Sequence, residues 1–170
     1  MAERNIGHDS LVDQDQLLAV LNEPLAQQLL TAPLLARLAY VAADGSPRVI
    51  PVGYLWTGRT IVVCTATTAP KVRAIAADPR VAITIDTPGP PAQVLSVRGR
   101  ADIETVAGIP PEYLAAVAKG VSADEAAEFE SRVRGVYREM ARISIDPEWA
   151  AIYDFGAGRV PQFLHKLIEP

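Results

Sequence analysis

Residues 48–86 place the strongest constraint on how this chain can fold. Two runs rich in β-branched and aromatic residues, 48–56 and 60–66, are joined by a tight turn, which is the pattern of a β-hairpin. A hydroxyl-rich loop follows and opens a short helix whose first turn carries Lys71 and Arg73. Such an arrangement is typical of an anion-binding site built on a β-sheet.

Pro51 and Gly53 interrupt the first of these two runs. Proline cannot donate a backbone hydrogen bond to a neighbouring strand, and glycine offers no side chain to pack. The pair therefore indicates an edge, a bulge or barrel corner, or a place where a flat ligand lies against the backbone. If the run pairs with the next strand across the turn at Thr57 and Gly58, we expect Arg48 to reach an anion held by the loop.

The rest of the chain predicts a sheet accompanied by helices. Leucine spacing and the positions of the prolines predict helices at the start, after the third strand and after the fifth. This order favours a small antiparallel barrel with helices packed outside, in preference to a β-sandwich. We interpret residues 1–12 as a flexible N-terminus and residues 13–170 as one domain. Strands are predicted at 34–43, 48–56, 60–66, 81–86, 95–104, 141–145 and 149–155.

Composition argues against several classes of function. The net charge of −4 and the pI near 5.2 disfavour a broad surface for nucleic acid. No apolar run approaches the ~20 residues of a membrane span, and the N-terminus lacks the order of a secretory signal. Cys64 is a single cysteine within an apolar run, which fits a reducing compartment. We therefore expect a cytoplasmic protein with neither a nucleic-acid nor a membrane partner.

Lys71 and Arg73 place positive charge at a helix N-terminus, where the helix dipole already favours anions. The hydroxyl groups of Thr65, Thr67 and Thr68 precede them in the chain. Together with the unpaired N–H groups of the first helical turn, these residues could hold a phosphate, which has more acceptors to fill than a carboxylate. The alternative is a solvated basic turn that binds nothing.

Patterns of other catalytic sites are missing from the sequence. It contains neither a Gly-rich phosphate loop of the nucleotide-binding types nor a Gly-x-Ser-x-Gly motif. The two histidines, His8 and His165, lie near opposite termini, so we predict no metal site and no Ser/His/Asp arrangement. We assign no catalytic residue, and we infer that any chemistry belongs to a bound cofactor.

Several short motifs occur in a definite order between residues 35 and 104. By that order and spacing, rather than by any single motif, the chain resembles the flavin-binding split-barrel family of pyridoxamine 5′-phosphate oxidase-like proteins and deazaflavin-dependent reductases. Trp149 falls where this family often has a tryptophan. The motifs are Asp44-Gly45-Ser46-Pro47 with the strand that follows, Thr65, Lys71-Val72-Arg73, Asp78-Pro79-Arg80-Val81 and Val97-x-Gly99-x-Ala101.

The resemblance implies a mainly β fold with helices (α+β), namely a six-stranded antiparallel split β-barrel with peripheral helices. It also implies a homodimer that binds FMN at the subunit interface, with the isoalloxazine ring along one strand and the phosphate at the loop. Many relatives have a serine two residues before the lysine, where this chain has Ala69. The residues implied to bind the cofactor are Arg48, Val49, Ile50, Pro51, Val52, Thr65, Thr67, Thr68, Lys71, Arg73 and Trp149.

Three functional hypotheses follow from the resemblance. The first is an FMN-binding oxidoreductase that acts on a small organic substrate. The second is a reductase that uses the deazaflavin coenzyme F-420, whose polyanionic tail would favour further cations such as Arg80 or Arg98. The third is a non-catalytic flavin- or haem-binding module. Haem is disfavoured because the two histidines that could serve as axial ligands, His8 and His165, lie near the termini. Pyridoxamine phosphate is not implied as the substrate.

Overall fold

Two short helices open the part of the chain that the structure, a computed structural model, describes, which is residues 14–164. They are α1 (Gln14–Leu21) and α2 (Pro24–Thr31), and Pro24 begins the second because proline is favoured in the first turn of a helix. The predicted helical cover is therefore confirmed. Residues 1–12, predicted to be flexible, lie outside the described range. The buried residues of the two helices are Leu17, Leu21, Ala26, Leu29 and Leu30.

Within residues 14–164, seven strands form one antiparallel sheet in the order β2-β1-β5-β6-β7-β4-β3. Strands β2 and β3 follow one another in the chain but lie at opposite edges of the sheet. Gly53 and Tyr54 therefore join the two edges and bring the sheet round into a split barrel, so the predicted mainly β fold with helices is confirmed. The strands are β1 (Ala36–Val41), β2 (Pro47–Val52), β3 (Leu55–Trp56), β4 (Ile61–Thr65), β5 (Arg80–Asp86), β6 (Gln93–Ala107) and β7 (Glu139–Asp154).

The predicted strand 48–56 is divided into two strands. Its first part, β2, pairs with β1, and its second part, β3, pairs with β4. The predicted pairing across the turn at Thr57 and Gly58 is therefore right for β3 and wrong for β2. Pro51 lacks the N–H group that an inner strand needs, which favours the edge of a sheet, and the side chain of Tyr54 is fully buried. Because of this break, the described residues form seven strands rather than the six that the family resemblance implies.

Strands β6 and β7 pair with each other along their whole length. The prediction of two separate strands at 141–145 and 149–155 is wrong, because a bulge between Arg98 and Gly99 accommodates Pro147 without ending the strand. A Cβ atom on Gly99 would overlap the carbonyl oxygen of Asp146. Glycine therefore permits the close approach of the two backbones at this point.

Three further helices, α3 (Pro70–Ala77), α4 (Pro111–Ala118) and α5 (Ala123–Arg134), lie outside the sheet. Ser122 and Glu125 form a capping box at the start of α5. The helix ends at Arg134, and Met140 belongs to β7.

Strand β4 is covered on both faces, as its continuous apolar sequence predicts. Ile61, Val62 and Val63 are all buried. The barrel interior covers one face of β4. Helix α4 covers the other face, since Val62 and Cys64 of β4 line a small cavity together with residues of α4. The barrel core includes Leu38, Ile83, Ile85, Leu95, Val97, Ile143 and Ile145.

Candidate functional site

The predicted cofactor platform lies on an edge strand. Strand β2 pairs with β1 on one side and has no neighbouring strand on its other side. On that open side its prolines do not remove a hydrogen bond between strands. The side chain of Val49 is 64% exposed and that of Val52 is 8% exposed. Pro51 is also exposed, and Ile50 is half-buried. Alternate residues of β2 therefore point into the core, and the others face outward.

The predicted phosphate loop lies at the end of β4. Thr65 is the last residue of that strand and pairs with Ala141, and a turn from Ala66 to Ala69 leads into α3. The side chains of Thr65 and Thr67 are half-buried, and that of Thr68 is exposed. Ala69 is the N-cap residue of α3 and makes no side-chain cap hydrogen bond. The loop therefore offers hydroxyl groups beside a helix N-terminus without a side-chain cap.

The two cations of this loop differ in their surroundings. Lys71 is half-buried and Arg73 is exposed. Burial lowers the pKa of the Lys71 ammonium, because removal from water disfavours the charged form. An anion bound beside Lys71 would offset that cost. Lys71 is therefore a better candidate than Arg73 for an anion ligand.

A small cavity lies beside Gly53, the residue that follows β2. Gly53 and Cys64 both line this cavity of about 50 Å³, which we call the Gly53 cavity. The cavity thus lies between the residue that follows Val52 and the residue that precedes Thr65. The α4 residues that line this cavity are Glu112, Tyr113, Ala116 and Val117.

Arg48 lies away from the Gly53 cavity. It is five residues before Gly53 in the chain, a distance of about 16 Å along an extended strand. Its guanidinium forms an exposed ion pair with Asp44 at 3.3 Å. Arg48 therefore lies near the start of β2, at the end of the strand away from Gly53.

A larger groove lies on the outer face of the sheet, with a volume of about 700 Å³. The guanidinium of Arg98 stacks on the ring of Trp149 at 4.3 Å. The small side chains of Ala39 and Ala82 lie between this stacked pair and strand β2. We call this feature the outer groove. Its lining includes Ala39, Val41, Pro47, Ala82, Arg98 and Trp149.

Trp149 is far from the phosphate loop of its own chain. Thr65 pairs with Ala141 on β7, and Trp149 lies eight residues further along that strand. Eight strand residues span about 26 Å. The loop residue Thr65 and Trp149 are therefore far apart within a single chain.

Sequence reasoning missed an ion pair beneath α4. Arg142 forms an ion pair with Glu112 at 2.8 Å and donates a hydrogen bond to Ser144 at 2.7 Å. All three residues are half-buried. The alternation of Arg142 and Ser144 with buried isoleucines places them on the outer face of β7, but no sequence signal links them to Glu112.

Cys64 has the properties of an unreactive thiol. Burial raises the pKa of the Cys64 thiol to about 11, and the charge of Glu112 adds to the effect. A reactive cysteine needs the opposite shift, because the thiolate is the nucleophile. The geometry therefore gives Cys64 a packing role in the wall of the Gly53 cavity.

Within residues 14–164, no helix is long and apolar enough to cross a membrane. The same range contains no group of three or more His, Cys, Asp or Glu residues that could hold a metal ion. His8 and His165, the two histidines considered above, lie outside the described residues.

A seven-stranded antiparallel sheet whose edges are joined by Gly53 and Tyr54, with helices packed outside, defines a split β-barrel protein. The model of the pyridoxamine 5′-phosphate oxidase family matches residues 23–144, which is more than half of the 170-residue chain. The chain therefore belongs to this family.

Three solved structures with a similar fold belong to proteins of different names. An F420 reductase is 26% identical with a TM-score of 0.55, over 74% of this chain and 94% of that one. The conserved hypothetical protein Rv2991 from Mycobacterium tuberculosis is 17% identical with a TM-score of 0.56, over 92% and 93% of the two chains. The haem storage protein HutZ from Vibrio cholerae is 16% identical with a TM-score of 0.54, over 78% and 93%. No curated protein gave a significant match.

Proposed function

We propose that the chain is an FMN-binding oxidoreductase that acts on a small organic substrate and works as a homodimer. The observation that carries this proposal is the Gly53 cavity, which lies between the residue that follows β2 and Cys64, the residue that precedes Thr65 in β4. A flat ring could lie along the open backbone edge of β2 while its phosphate reaches the loop. Family membership supports a cofactor of this type.

The residues of the loop suit a phosphate. Thr65 and Thr67 supply hydroxyl groups, and α3 lacks a side-chain cap because Ala69 stands at its N-cap position. The half-buried ammonium of Lys71 would gain an anionic partner. The bound flavin would supply the redox chemistry, so the residues of this chain would orient the ring and hold its phosphate.

A second copy of the chain would complete the site. Trp149 is too far along β7 to reach the phosphate loop of its own chain, yet it lines an open groove on the outer face of the sheet. In a homodimer, the partner's Trp149 could cover a ring that lies on β2. This arrangement accounts for Trp149 as a cofactor-binding residue without any movement of the barrel.

The first prediction concerns Lys71. We expect the purified protein to be yellow with flavin absorbance, and Lys71→Ala to weaken FMN binding by about tenfold or more, the scale of a lost charged hydrogen bond. Titration followed by flavin fluorescence measures the change. Arg59→Ala is the matched control, since exposed Arg59 precedes β4 at the end opposite Thr65. Equal affinities of Lys71→Ala and the unmodified protein would contradict the phosphate site.

A second candidate function is that of a reductase dependent on coenzyme F-420. The similarity to an F420 reductase at 26% identity and the alanine at position 69 favour it. Parallel titrations with FMN and the deazaflavin separate the two candidates, because the cofactor that binds more tightly identifies the class. A protein that binds neither cofactor would overturn both candidates. Binding of haem alone would instead indicate the non-catalytic module.

A further inference from the structure

Lys119, the C-cap residue of α4, has a buried ammonium group. The Nζ atom is buried and has no hydrogen-bond partner among residues 14–164. It lies 3.6 Å from the centroid of the Tyr54 ring, which is within the range of a cation–π interaction. Desolvation lowers the pKa of Lys119 to about 8, so the group remains charged at neutral pH at a cost to folding.

Tyr54 connects this ammonium to the break between the sheet edges. Its side chain is fully buried, and its hydroxyl donates a hydrogen bond to the carbonyl oxygen of Leu29 in α2 at 2.6 Å. Tyr54 directly follows Gly53, the platform residue that lines the cavity. The ring is therefore held between α2 and the end of α4 at the point where β2 gives way to β3.

The position of α4 determines the shape of the Gly53 cavity. Glu112, Tyr113, Ala116 and Val117, all from α4, form the wall that faces Gly53 and Cys64. The contact of Lys119 with Tyr54 fixes the C-terminal end of this helix. A displacement of that end would change the space behind the platform.

We propose that Lys119 is a positioning residue for the cofactor platform: through the ring of Tyr54 it fixes the end of α4 against the break at Gly53. This inference rests on the proposed function. An apolar side chain of similar length would avoid the cost of burying an ammonium group. Stability alone therefore does not explain a lysine at this position. A requirement that the end of α4 keep one position against Tyr54 does explain it.

The decisive variant is Lys119→Met, which keeps the length of the side chain and removes its charge. We expect it to melt at the same temperature as the unmodified protein or higher. We also expect FMN binding to weaken by about tenfold, as the loss of a buried cation–π interaction would cause, with a shift in the visible spectrum of the bound flavin. Lys119→Arg keeps a cation over the ring and should restore both affinity and spectrum. A methionine variant with unchanged affinity and spectrum would overturn the inference.

Amide hydrogen exchange tests the same inference without a cofactor. In Lys119→Met, we expect faster exchange at residues 53–55 and 111–118, with unchanged exchange in the ladder between β6 and β7 as the internal control. If the unmodified protein binds neither FMN nor the deazaflavin, the proposed function fails and exchange still decides the role of Lys119. If flavin binds but exchange at 53–55 is the same in both proteins, the positioning role fails and the proposed function stands.

Discussion

Gly99 lies within β6 and Gly53 lies between β2 and β3, and the surroundings of the two glycines are opposite. A Cβ atom on Gly99 would overlap the backbone of Asp146, whereas one on Gly53 would meet no atom of the chain within 4 Å. Gly99 therefore serves the packing of two strands. Gly53 leaves free space beside the end of β2, the strand along which we propose that the cofactor lies.

At the residue scale, we predict that Gly99→Ala destabilises the fold. The added methyl group must push β6 and β7 apart at the bulge, which should lower the free energy of unfolding by about 1–3 kcal/mol, as overpacking does elsewhere. Urea denaturation measures the change. If the alanine variant unfolds at the same urea concentration as the unmodified protein, the close approach of the two backbones is not a constraint.

Lys119 provides a prediction on pH dependence. Its pKa of about 8 in the folded state lies below the ~10.4 of an unfolded chain. Between these pH values the unfolded state binds more protons, so Lys119 makes the free energy of unfolding rise with pH. Cys64 and Tyr54, whose pKa values burial raises to about 11 and about 12, act in the opposite direction in an overlapping range.

Comparison with Lys119→Met isolates the contribution of the lysine from that of Cys64 and Tyr54. We expect the methionine variant to be the more stable protein near neutral pH, with a margin that shrinks as the pH rises from 8 to 10. Denaturation at a series of pH values measures the margin. A margin that stays constant across this range would show that the buried ammonium does not titrate as the structure indicates.

At the scale of elements, β2 combines the properties of an edge strand and a platform. Pro47 and Pro51 limit its pairing with other strands, and its open edge carries exposed Val49. The same strand ends at Val52, next to Gly53 and the cavity that Gly53 lines together with Cys64. One element thus protects the sheet edge and presents backbone to a ligand.

We predict that Gly53→Ala separates these two roles. The backbone at Gly53 does not have the positive φ that would strain an alanine, and the added methyl group meets open space. The free energy of unfolding should therefore be unchanged or slightly higher, while FMN binding should weaken because the methyl group occupies the space beside the platform. Paired measurements of denaturation and flavin titration check both parts. An alanine variant with full affinity would move the cofactor away from Gly53.

At the scale of the whole molecule, the outer face of the sheet is the surface that a second copy would cover. A row of paired residues crosses it from β2 to β7, with small side chains in the centre. Val49 is 64% exposed at one end of this row, and the stacked Arg98 and Trp149 lie at the other. The row is Val49, Ala39, Ala82, Arg98 and Trp149.

We predict that Val49→Asp disrupts the proposed homodimer. A carboxylate at this exposed position costs the single chain little, but its burial in an interface without a partner is unfavourable. Light scattering should show the mass of a dimer for the unmodified protein and that of a monomer for the variant, which should also lose flavin affinity. Val121→Asp is the matched control, since Val121 is 40% exposed beside the helices rather than on this face. A monomeric unmodified protein would contradict the dimer.

Much of the local structure could be predicted from the sequence. Pro24 separates two helices, Ser122 and Glu125 cap α5, and Pro70 opens α3 where the sequence pattern puts it. The alternation in β6 and the continuous apolar run of β4 predict their exposure correctly. These features depend on neighbours within a few residues, which the sequence displays directly.

The division of residues 48–56 into β2 and β3 could not be predicted, because it depends on partners far away in the chain. Strand β1 competes with β4 for this run, and the burial of Tyr54 against α2 and α4 decides where one pairing stops and the other begins. The burial of the Nζ atom of Lys119 and the pairing of Glu112 with Arg142 are equally non-local. In the sequence each reads as an ordinary solvated charge.

The sequence by itself determined most of the helices and strands of this protein and its family resemblance, and it marked the residues of a proposed phosphate loop, because these follow from short-range pattern and spacing. Only the tertiary structure decided that Gly53 and Tyr54 join the two edges of the sheet, that Thr65 and Trp149 lie far apart along β7, and that the Nζ atom of Lys119 is buried over the ring of Tyr54. The physical reason is that strand pairing and burial are set by which surfaces meet across the barrel, and residues distant in sequence compete for those surfaces.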